Sequence, residues 1–389
     1  MTGQVEAATR ATYVAFIGAG FAFASWASRI PQVKAHLHLS PSELGLVLFA
    51  LAAGSVIALP LSGRVVARWG SRRTVSTTAV VLALGLAIAA VGYLFGVVPV
   101  VVGLFLFGLA NGGWDVAMNV QAAEVERRVG SAVMSRFHAG FSVGTVAGAL
   151  LGAVMVAFDV PVTAHLAAVA VVVGVAVPAS VRGFLADHPV TTEAHARRGA
   201  AWASWLEPRT LLVGLFVLAF AFAEGSGNDW IGVAVIGGYH TAPVLGTLAF
   251  AAFLAAMTLG RWFGPGLLDR YGRVPVVRAI AVLGVLGLAV FVFGGSTAAA
   301  FVGAVLWGAG VSLGFPVGMS AGADDPARAA SRVSVVASIG YCAFLAGPPL
   351  IGFLGQRFTV LHALTAVAVL LALAAVIASC VRPLPARGR

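Results

Sequence analysis

Long apolar runs separated by short polar loops fill this sequence. Twelve runs are long enough, or nearly so, for a helix of ~20 residues to cross a hydrocarbon layer of ~30 Å. They begin near Thr12, Ser42, Thr74, Val97, Ala132 and Pro161, and then near Arg209, Thr241, Val274, Thr297, Ala330 and Thr359. The pattern predicts an all-α membrane protein with 12 transmembrane helices in two six-helix bundles, residues 1–181 and 209–389, joined by a polar linker, residues 182–208.

The two halves share sequence at matching places. The basic segment Gly63–Arg73, after the second run, reads GRVVARWGSRR, and Gly266–Arg273, after the eighth, reads GLLDRYGR. The letters FAFA occur at Phe21–Ala24 and again at Phe220–Ala223. Internal duplication of a hydrophobic unit is typical of secondary transporters. We therefore expect the two bundles to be pseudo-repeats of one another.

Composition excludes a soluble protein. Of the 389 residues, 60% are hydrophobic and 10% are charged, whereas a soluble globular chain has roughly 25% charged residues. A soluble core cannot enclose so much apolar surface, so the lipid bilayer must solvate much of it. The net charge of +10 does not indicate nucleic-acid binding, because the arginines lie in short loops and form no basic face.

No motif indicates an enzyme or a bound cofactor. The chain has no glycine loop with a lysine for binding phosphate, and its two cysteines, Cys342 and Cys380, lie in apolar runs without metal-ligand spacing. We expect a protein with no catalytic residues, no cofactor and no metal site.

The distribution of lysine and arginine predicts the orientation. If both termini are cytoplasmic, the outward side carries only Arg29, Lys34 and Arg357 of the 24 basic residues. Because cytoplasmic loops are enriched in Lys and Arg, we expect a multi-pass protein of the cell membrane with both termini in the cytoplasm.

The two basic loops resemble the loop signature of the major facilitator superfamily, in which a glycine is followed by an acid, Arg, Gly and a further basic residue. The second loop keeps the acid as Asp269, whereas Ala67 takes its place in the first. The resemblance implies two six-helix bundles, a monomer, and transport by alternating access. It also implies that the loops hold one conformational state, through Gly63, Arg68, Gly70 and Arg72 in the first loop and Asp269, Arg270, Gly272 and Arg273 in the second.

A finer resemblance concerns the fourth run. Asp115 and Asn119 are similar to the acid-x-x-x-Asn pattern of the branch that contains fucose permeases and unassigned permease-like members. The resemblance implies that Asp115 takes part in proton coupling and that Asn119 faces a sugar. The acid that this branch carries in its first run is missing here.

Ionisable groups deep in a bilayer cost ~2.5–3.5 kcal/mol to insert and usually have a function. We expect Asp115, Glu224 and His138 to be candidates for proton coupling. Each has a structural alternative: Asp115 as a bridge to Arg136 or to an arginine of an inward loop, Glu224 as a helix–helix contact, and His138 as a packing residue.

Amide and indole groups in the apolar runs are the candidate solute ligands. They are Asn111, Trp114, Asn119, Asn228 and Trp307. Amides suit hydroxyl or amide ligands, and deep cations are almost absent, which favours a neutral polyhydroxy solute or a cationic one over a strong anion.

The sequence predicts a secondary transporter of a sugar-like solute coupled to protons, whose partners are that solute, protons and the lipid bilayer. One alternative is proton antiport that expels amphipathic or cationic drugs. A second is a membrane receptor or scaffold that transports nothing.

Overall fold

The structure, a computed structural model of the chain, describes residues 3–131, 133–187, 204–325 and 328–384. Within those ranges it is helical and contains no strand. The first half contains α1 Gly3–Ala27, α2 Ile30–His36, α3 Pro41–Gly92, α4 Val97–Val129, α5 Met134–Ala157 and α6 Val162–Ser180. The second half contains α7 Pro208–Tyr239, α8 Pro243–Tyr271, α9 Arg273–Phe293, α10 Thr297–Val311, α11 Gly314–Gly322, α12 Ala329–Arg357, α13 Val360–Ala363 and α14 Thr365–Ile377.

The helices confirm the predicted all-α membrane fold. Within the described residues, 11 helices are long and apolar enough to cross a membrane. One of them, α3, has 52 residues and would extend ~78 Å if it were straight. It is interrupted at Gly70, whose φ of 80° and ψ of 159° are not helical. This helix therefore contains two of the predicted spans, those beginning near Ser42 and Thr74.

Local sequence determines where several helices begin and end. Ser40 Oγ accepts a hydrogen bond from the Glu43 backbone N–H while the Glu43 carboxylate accepts one from the Ser40 backbone N–H, which is a complete capping box before Pro41. Ser296 caps α10 by accepting a hydrogen bond from the Ala299 backbone N–H. Gly130 ends α4 in the left-handed conformation, which glycine adopts without a steric cost.

The described residues form two compact units. Unit 1 contains residues 3–187 together with Thr241–Ala251, and unit 2 contains residues 204–240 and 252–384. Residues 188–203 of the predicted linker lie outside the described residues. The predicted bundle boundaries at residues 181 and 209 stay a prediction.

Close contact between helix backbones holds unit 1 together. A Cβ atom on Gly144 of α5 would lie 2.2 Å from the carbonyl oxygen of Ile17 in α1, and one on Gly148 would lie 2.6 Å from that of Phe21. These distances leave no room for a side chain. The glycines therefore bring α1 and α5 together as small-xxx-small stripes do in membranes.

The duplicated glycines make the same kind of contact in the two units. A Cβ atom on Gly108 of α4 would lie 1.9 Å from the carbonyl oxygen of Leu51 in α3. In unit 2, a Cβ atom on Gly308 of α10 would lie 2.2 Å from the carbonyl oxygen of Phe253 in α8. The sequence repeat is thus a repeat of helix packing.

Candidate functional site

Asp115 lies half-buried on α4 and has no basic partner within the described residues. Within the described residues its only side-chain hydrogen bond is with Asn119, one turn later, whose Nδ2 donates to the Asp115 carbonyl oxygen at 2.8 Å and to Oδ1 at 3.3 Å. Arg136, the alternative partner, is exposed and does not pair with it. A carboxyl group in a membrane span without a cation is expensive to keep charged, which makes Asp115 the strongest candidate for binding a proton or a solute.

Trp114, next to Asp115, is fully buried. Its ring lies close to Gly18 of α1, where an added Cβ atom would be 3.7 Å from the ring. Its indole Nε1 has no partner within the described residues. Asn111, one turn earlier on α4, is half-buried and also makes no side-chain hydrogen bond there. The α4 segment therefore combines one carboxyl group with two amides and one indole N–H.

Glu224 of α7 differs from Asp115 because it has a basic partner. Both of its carboxylate oxygens accept from one terminal nitrogen of Arg261 in α8, at 2.8 Å each. Arg261 also donates through Nε to the carbonyl oxygen of Ser312, at 3.3 Å. The structural alternative for Glu224, a helix–helix contact, is the arrangement seen here, and its role in proton coupling stays a prediction.

The next two turns of α7 contain polar atoms without partners. Ser226 Oγ, Asn228 Oδ1 and Trp230 Nε1 are buried and make no hydrogen bond within the described residues. An unsatisfied buried polar atom costs ~1–3 kcal/mol. Three of them on one short segment indicate groups that a solute or water satisfies when it is bound.

Trp307 and His138 occupy different environments. Trp307 is fully buried, with Phe253 and Phe291 edge-on to its ring at centroid distances of 5.3 and 5.8 Å. The ring has no free face for stacking on a solute, and only its unpartnered indole N–H is available. His138 is exposed on α5 and lies edge-on to Phe16 at 5.1 Å.

The first basic loop is held by an acid from elsewhere in the chain. Asp187, after α6, accepts from the Ser71 backbone N–H at 2.5 Å and from Ser71 Oγ at 2.6 Å. Because the hydroxyl proton of Ser71 goes to Asp187, the amide nitrogen of Gln121, 3.1 Å away, is the donor to Ser71 Oγ. Asp187 thus binds the start of the helix that follows Gly70, where a negative charge is favourable. Gly63, Arg68 and Arg72 are exposed and have no partner within the described residues.

The second basic loop is held by a different acid. Arg273 pairs with Asp324 at 2.7 Å and donates to Ser320 Oγ at 2.9 Å. Asp324 also binds Arg209 at 2.8 Å. The acid of the loop itself, Asp269, is exposed and unpaired within the described residues, and Arg270 lies over the ring of Tyr271 at 5.2 Å.

A further ion cluster lies just before α7. Glu207 pairs with Arg332 at 2.6 Å and with Arg328 at 2.7 Å, and Arg332 reaches Asp325 at 3.4 Å. The hydrogen bond from Arg332, followed by that from Arg328, lowers the pKa of Glu207 to about 2. This carboxylate is therefore charged at neutral pH.

Sequence reasoning missed Arg261 as a partner of Glu224, and Asp187 and Asp324 as partners of the loops. The pairs are 37, 116 and 51 residues apart along the chain. Residues so far apart along the chain show no periodic sequence pattern that would indicate contact. The one available signal was that each loop needs an acid and the first loop has none.

The sequence and the fold were compared with those of known proteins. Residues 12–343 match the family model described as Major Facilitator Superfamily. An uncharacterised transporter of Sinorhizobium fredii, y4wD, is 32% identical over 372 residues, which is 95% of this chain and 97% of that protein. The membrane protein MosC of Rhizobium meliloti is 28% identical over 342 residues, 87% of this chain and 81% of its own length.

Two solved structures share the fold. The nucleoside transporter NupG superimposes with a TM-score of 0.75 at 15% identity, covering 98% of each chain. A variant of the E. coli fucose:proton symporter FucP superimposes with a TM-score of 0.63 at 14% identity, covering 95% of this chain and 97% of the symporter. With the matched family model, the helix count and the duplicated basic loops, these findings establish that the chain belongs to the major facilitator superfamily.

Proposed function

We propose that this transporter moves a small neutral polyhydroxy solute, with a sugar or a sugar-bearing molecule as its class, by alternating access coupled to protons. Membership of the superfamily makes the chain a membrane transporter and not an enzyme. The observation on which the proposal rests is Asp115, a carboxyl group within a membrane span whose only side-chain hydrogen bond, within the described residues, is with the amide of Asn119.

The proton step follows from the cost of charge in the membrane. When Asp115 is protonated it is neutral and the span can change its access without moving a buried charge. When it faces water it releases the proton. A solute that binds beside it favours one of these forms, so solute and proton cross together.

The neighbouring groups support a neutral ligand. Asn119, Asn111 and the indole N–H of Trp114 offer hydrogen bonds suited to hydroxyl groups, and no free cation of the described residues lies beside them to bind an anion. The two structural neighbours are named as a nucleoside transporter and a fucose:proton symporter. Both kinds of solute contain a sugar ring with hydroxyl groups, which is the chemistry that these amides fit.

The orientation remains part of the proposal. We propose that both termini are cytoplasmic and that the protein works as a monomer in the cell membrane. The support is the small share of lysine and arginine, Arg29, Lys34 and Arg357, on the side proposed to face outward.

Solute-induced proton movement tests the proposal. Cells that overproduce the protein are suspended in weak buffer and given sugars, nucleosides, polyols, amino acids and cationic drugs in turn. A sugar or nucleoside should make the medium more alkaline, and Asp115→Asn should abolish the signal. Glu6→Gln, which removes an exposed carboxylate of α1, is the matched control and should keep it. No response to any sugar or nucleoside, with the protein present in the membrane, would contradict the proposal.

A further inference from the structure

A cavity with several polar side chains in its lining lies in unit 1, far from Asp115. It has a volume of about 670 Å³, and its polar lining is Arg29, Gln32, His36, Tyr93 and Asp159. Tyr93 caps the end of α3, just before α4 begins at Val97. Since Asp115 is 18 residues further along α4, the helix rise places it ~27 Å from this end. The cavity is therefore a separate site.

Arg29 is a buried cation that has no counterion within the described residues. The residue is only 2% exposed. Its Nε donates to His165 Nδ1 at 3.0 Å and one terminal nitrogen donates to the carbonyl oxygen of Val160 at 3.0 Å. Both acceptors are neutral. A guanidinium has further N–H groups beyond these two, and within the described residues none of them reaches a carboxylate.

His165 cannot supply a negative or a positive charge here. Because its Nδ1 accepts from Arg29, its proton is on Nε2, and the ring is neutral. The residue is 3% exposed, and Nε2 has no partner within the described residues. His165 therefore positions the guanidinium and leaves its charge unbalanced, although a buried charge is normally paired.

Gln32 places an unused amide in the same cavity. Both its Oε1 and its Nε2 are buried and lack hydrogen-bond partners within the described residues. Gln32 follows Arg29 by three residues, so the two side chains lie on the same side of the chain. An unpaired guanidinium beside an unpaired amide is an arrangement that binds a planar oxyanion.

We propose that this cavity binds a small solute with a single carboxylate, which pairs with Arg29 and accepts a further hydrogen bond from Gln32 Nε2. Guanidinium and carboxylate match in geometry and charge. The volume is in the range of small-molecule sites, ~300–1,000 Å³. Asp159 is exposed at the same cavity and repels the second negative charge of a phosphate dianion, so inorganic phosphate should bind poorly. The phosphodiester of a phospholipid headgroup is singly charged but tetrahedral, so it should not fit a site for a planar oxyanion. The proposal does not depend on the solute or on the proton coupling assigned to Asp115.

Ligand binding to the purified full-length protein in detergent tests this site. The probes are acetate, lactate and glycine as single carboxylates, with inorganic phosphate and phosphatidylglycerol as competitors of another class. At least one carboxylate should bind by calorimetry and raise the thermal midpoint, and phosphate and phosphatidylglycerol should not.

Two variants separate a ligand site from a merely structural cluster. Gln32→Leu should weaken carboxylate binding by about tenfold, the loss expected for one hydrogen bond to a charged group. The same variant should raise the thermal midpoint of the ligand-free protein, because it removes two unsatisfied polar atoms. Arg29→Lys should also weaken carboxylate binding. If Arg29→Lys does not fold, Gln32→Leu tests the site on its own.

Arg357→Gln, which removes an exposed arginine of α12, is the control and should bind as the wild type does. Equal stabilisation by phosphate or phosphatidylglycerol, the absence of any carboxylate binding, or unchanged binding in Gln32→Leu would overturn the proposal.

Discussion

Two intramembrane acids, Asp115 in the first half of the transporter and Glu224 in the second, have different partners. Within the described residues, the only side-chain hydrogen bond of Asp115 is with the amide of Asn119. Glu224 is paired with Arg261, one terminal nitrogen of which donates to both carboxylate oxygens. A carboxylate in an ion pair keeps its charge because the cation stabilises it, whereas an unpaired one in a membrane span is costly to ionise. We therefore propose that Asp115 binds the proton and that Glu224 helps to hold α7 against α8.

The two basic loops also share a backbone conformation but differ in the acid that binds them. Gly70 has φ 80° and ψ 159°, and Gly272 has φ 81° and ψ 164°, so the backbones turn alike. Their acids differ: Asp187 binds the backbone of Ser71 in unit 1, and Asp324 binds the side chain of Arg273 in unit 2. Duplication preserved the backbone, while the charged partners diverged.

The largest difference should appear in transport by variants of the two acids. Asp115→Asn should lower pH-driven accumulation of the solute by at least ~100-fold, because a group that cannot ionise cannot carry a proton through the cycle. It should leave counterflow of solute largely intact. Glu224→Gln should reduce accumulation and counterflow together, since it weakens a structural contact. If both variants lost accumulation equally and kept counterflow, the distinction between a proton-binding Asp115 and a structural Glu224 would be wrong.

In protein stability, Glu224→Gln should have the larger effect of the two variants. Glu224→Gln leaves Arg261 without its acid, and we expect a loss of about 2 kcal/mol because the pair is only partly buried. The double variant Glu224→Gln with Arg261→Gln should recover most of this loss. Asp115→Asn should cost less than Glu224→Gln. Thermal unfolding in detergent measures all three, and an unchanged midpoint in Glu224→Gln would contradict the structural assignment.

The two loop glycines offer a matched pair with a smaller expected effect. Both lie in a backbone region that only glycine adopts readily, so alanine should cost about 1–3 kcal/mol at either position. At Gly70 the new Cβ atom would also lie 2.8 Å from Asp187 Oδ2, whereas at Gly272 nothing lies within 4 Å. Gly70→Ala should therefore lower the thermal midpoint more than Gly272→Ala does. Adding Asp187→Ala to both variants should remove most of the difference, and a difference that persists would exclude Asp187 as its cause.

The smallest effect concerns pH and the cluster around Glu207. The pKa of this carboxyl group is lowered to about 2 by Arg332 and Arg328, from an ordinary value of roughly 4.3. A lowered pKa stabilises the folded state above the ordinary value, and this stability is lost as the pH falls from there towards 2. Glu207→Gln should lower the thermal midpoint between pH 5 and pH 8, on the order of a few degrees, and the difference should shrink below pH 4. A difference that does not change with pH would contradict the assigned ion pairs.

The sequence was sufficient for the fold because each transmembrane helix is a local apolar run. The spans near Ser42 and Thr74 were predicted separately, and Gly70 divides the single long helix that contains both. Partners such as Arg261 and Asp187 could not be predicted, since they lie on other helices and depend on how those helices pack. Burial of Trp307 between Phe253 and Phe291 was hidden for the same reason. The site residues themselves stay predictions until transport is measured.

The most direct test of the account is the simultaneous flux of solute and protons into vesicles that contain the purified protein. A sugar or nucleoside that elicits proton movement in cells is added outside, with a pH indicator inside. We predict that each solute influx carries protons inward in the wild type, and that Asp115→Asn exchanges solute without moving protons. Solute-linked proton influx that persists in Asp115→Asn would contradict the central claim.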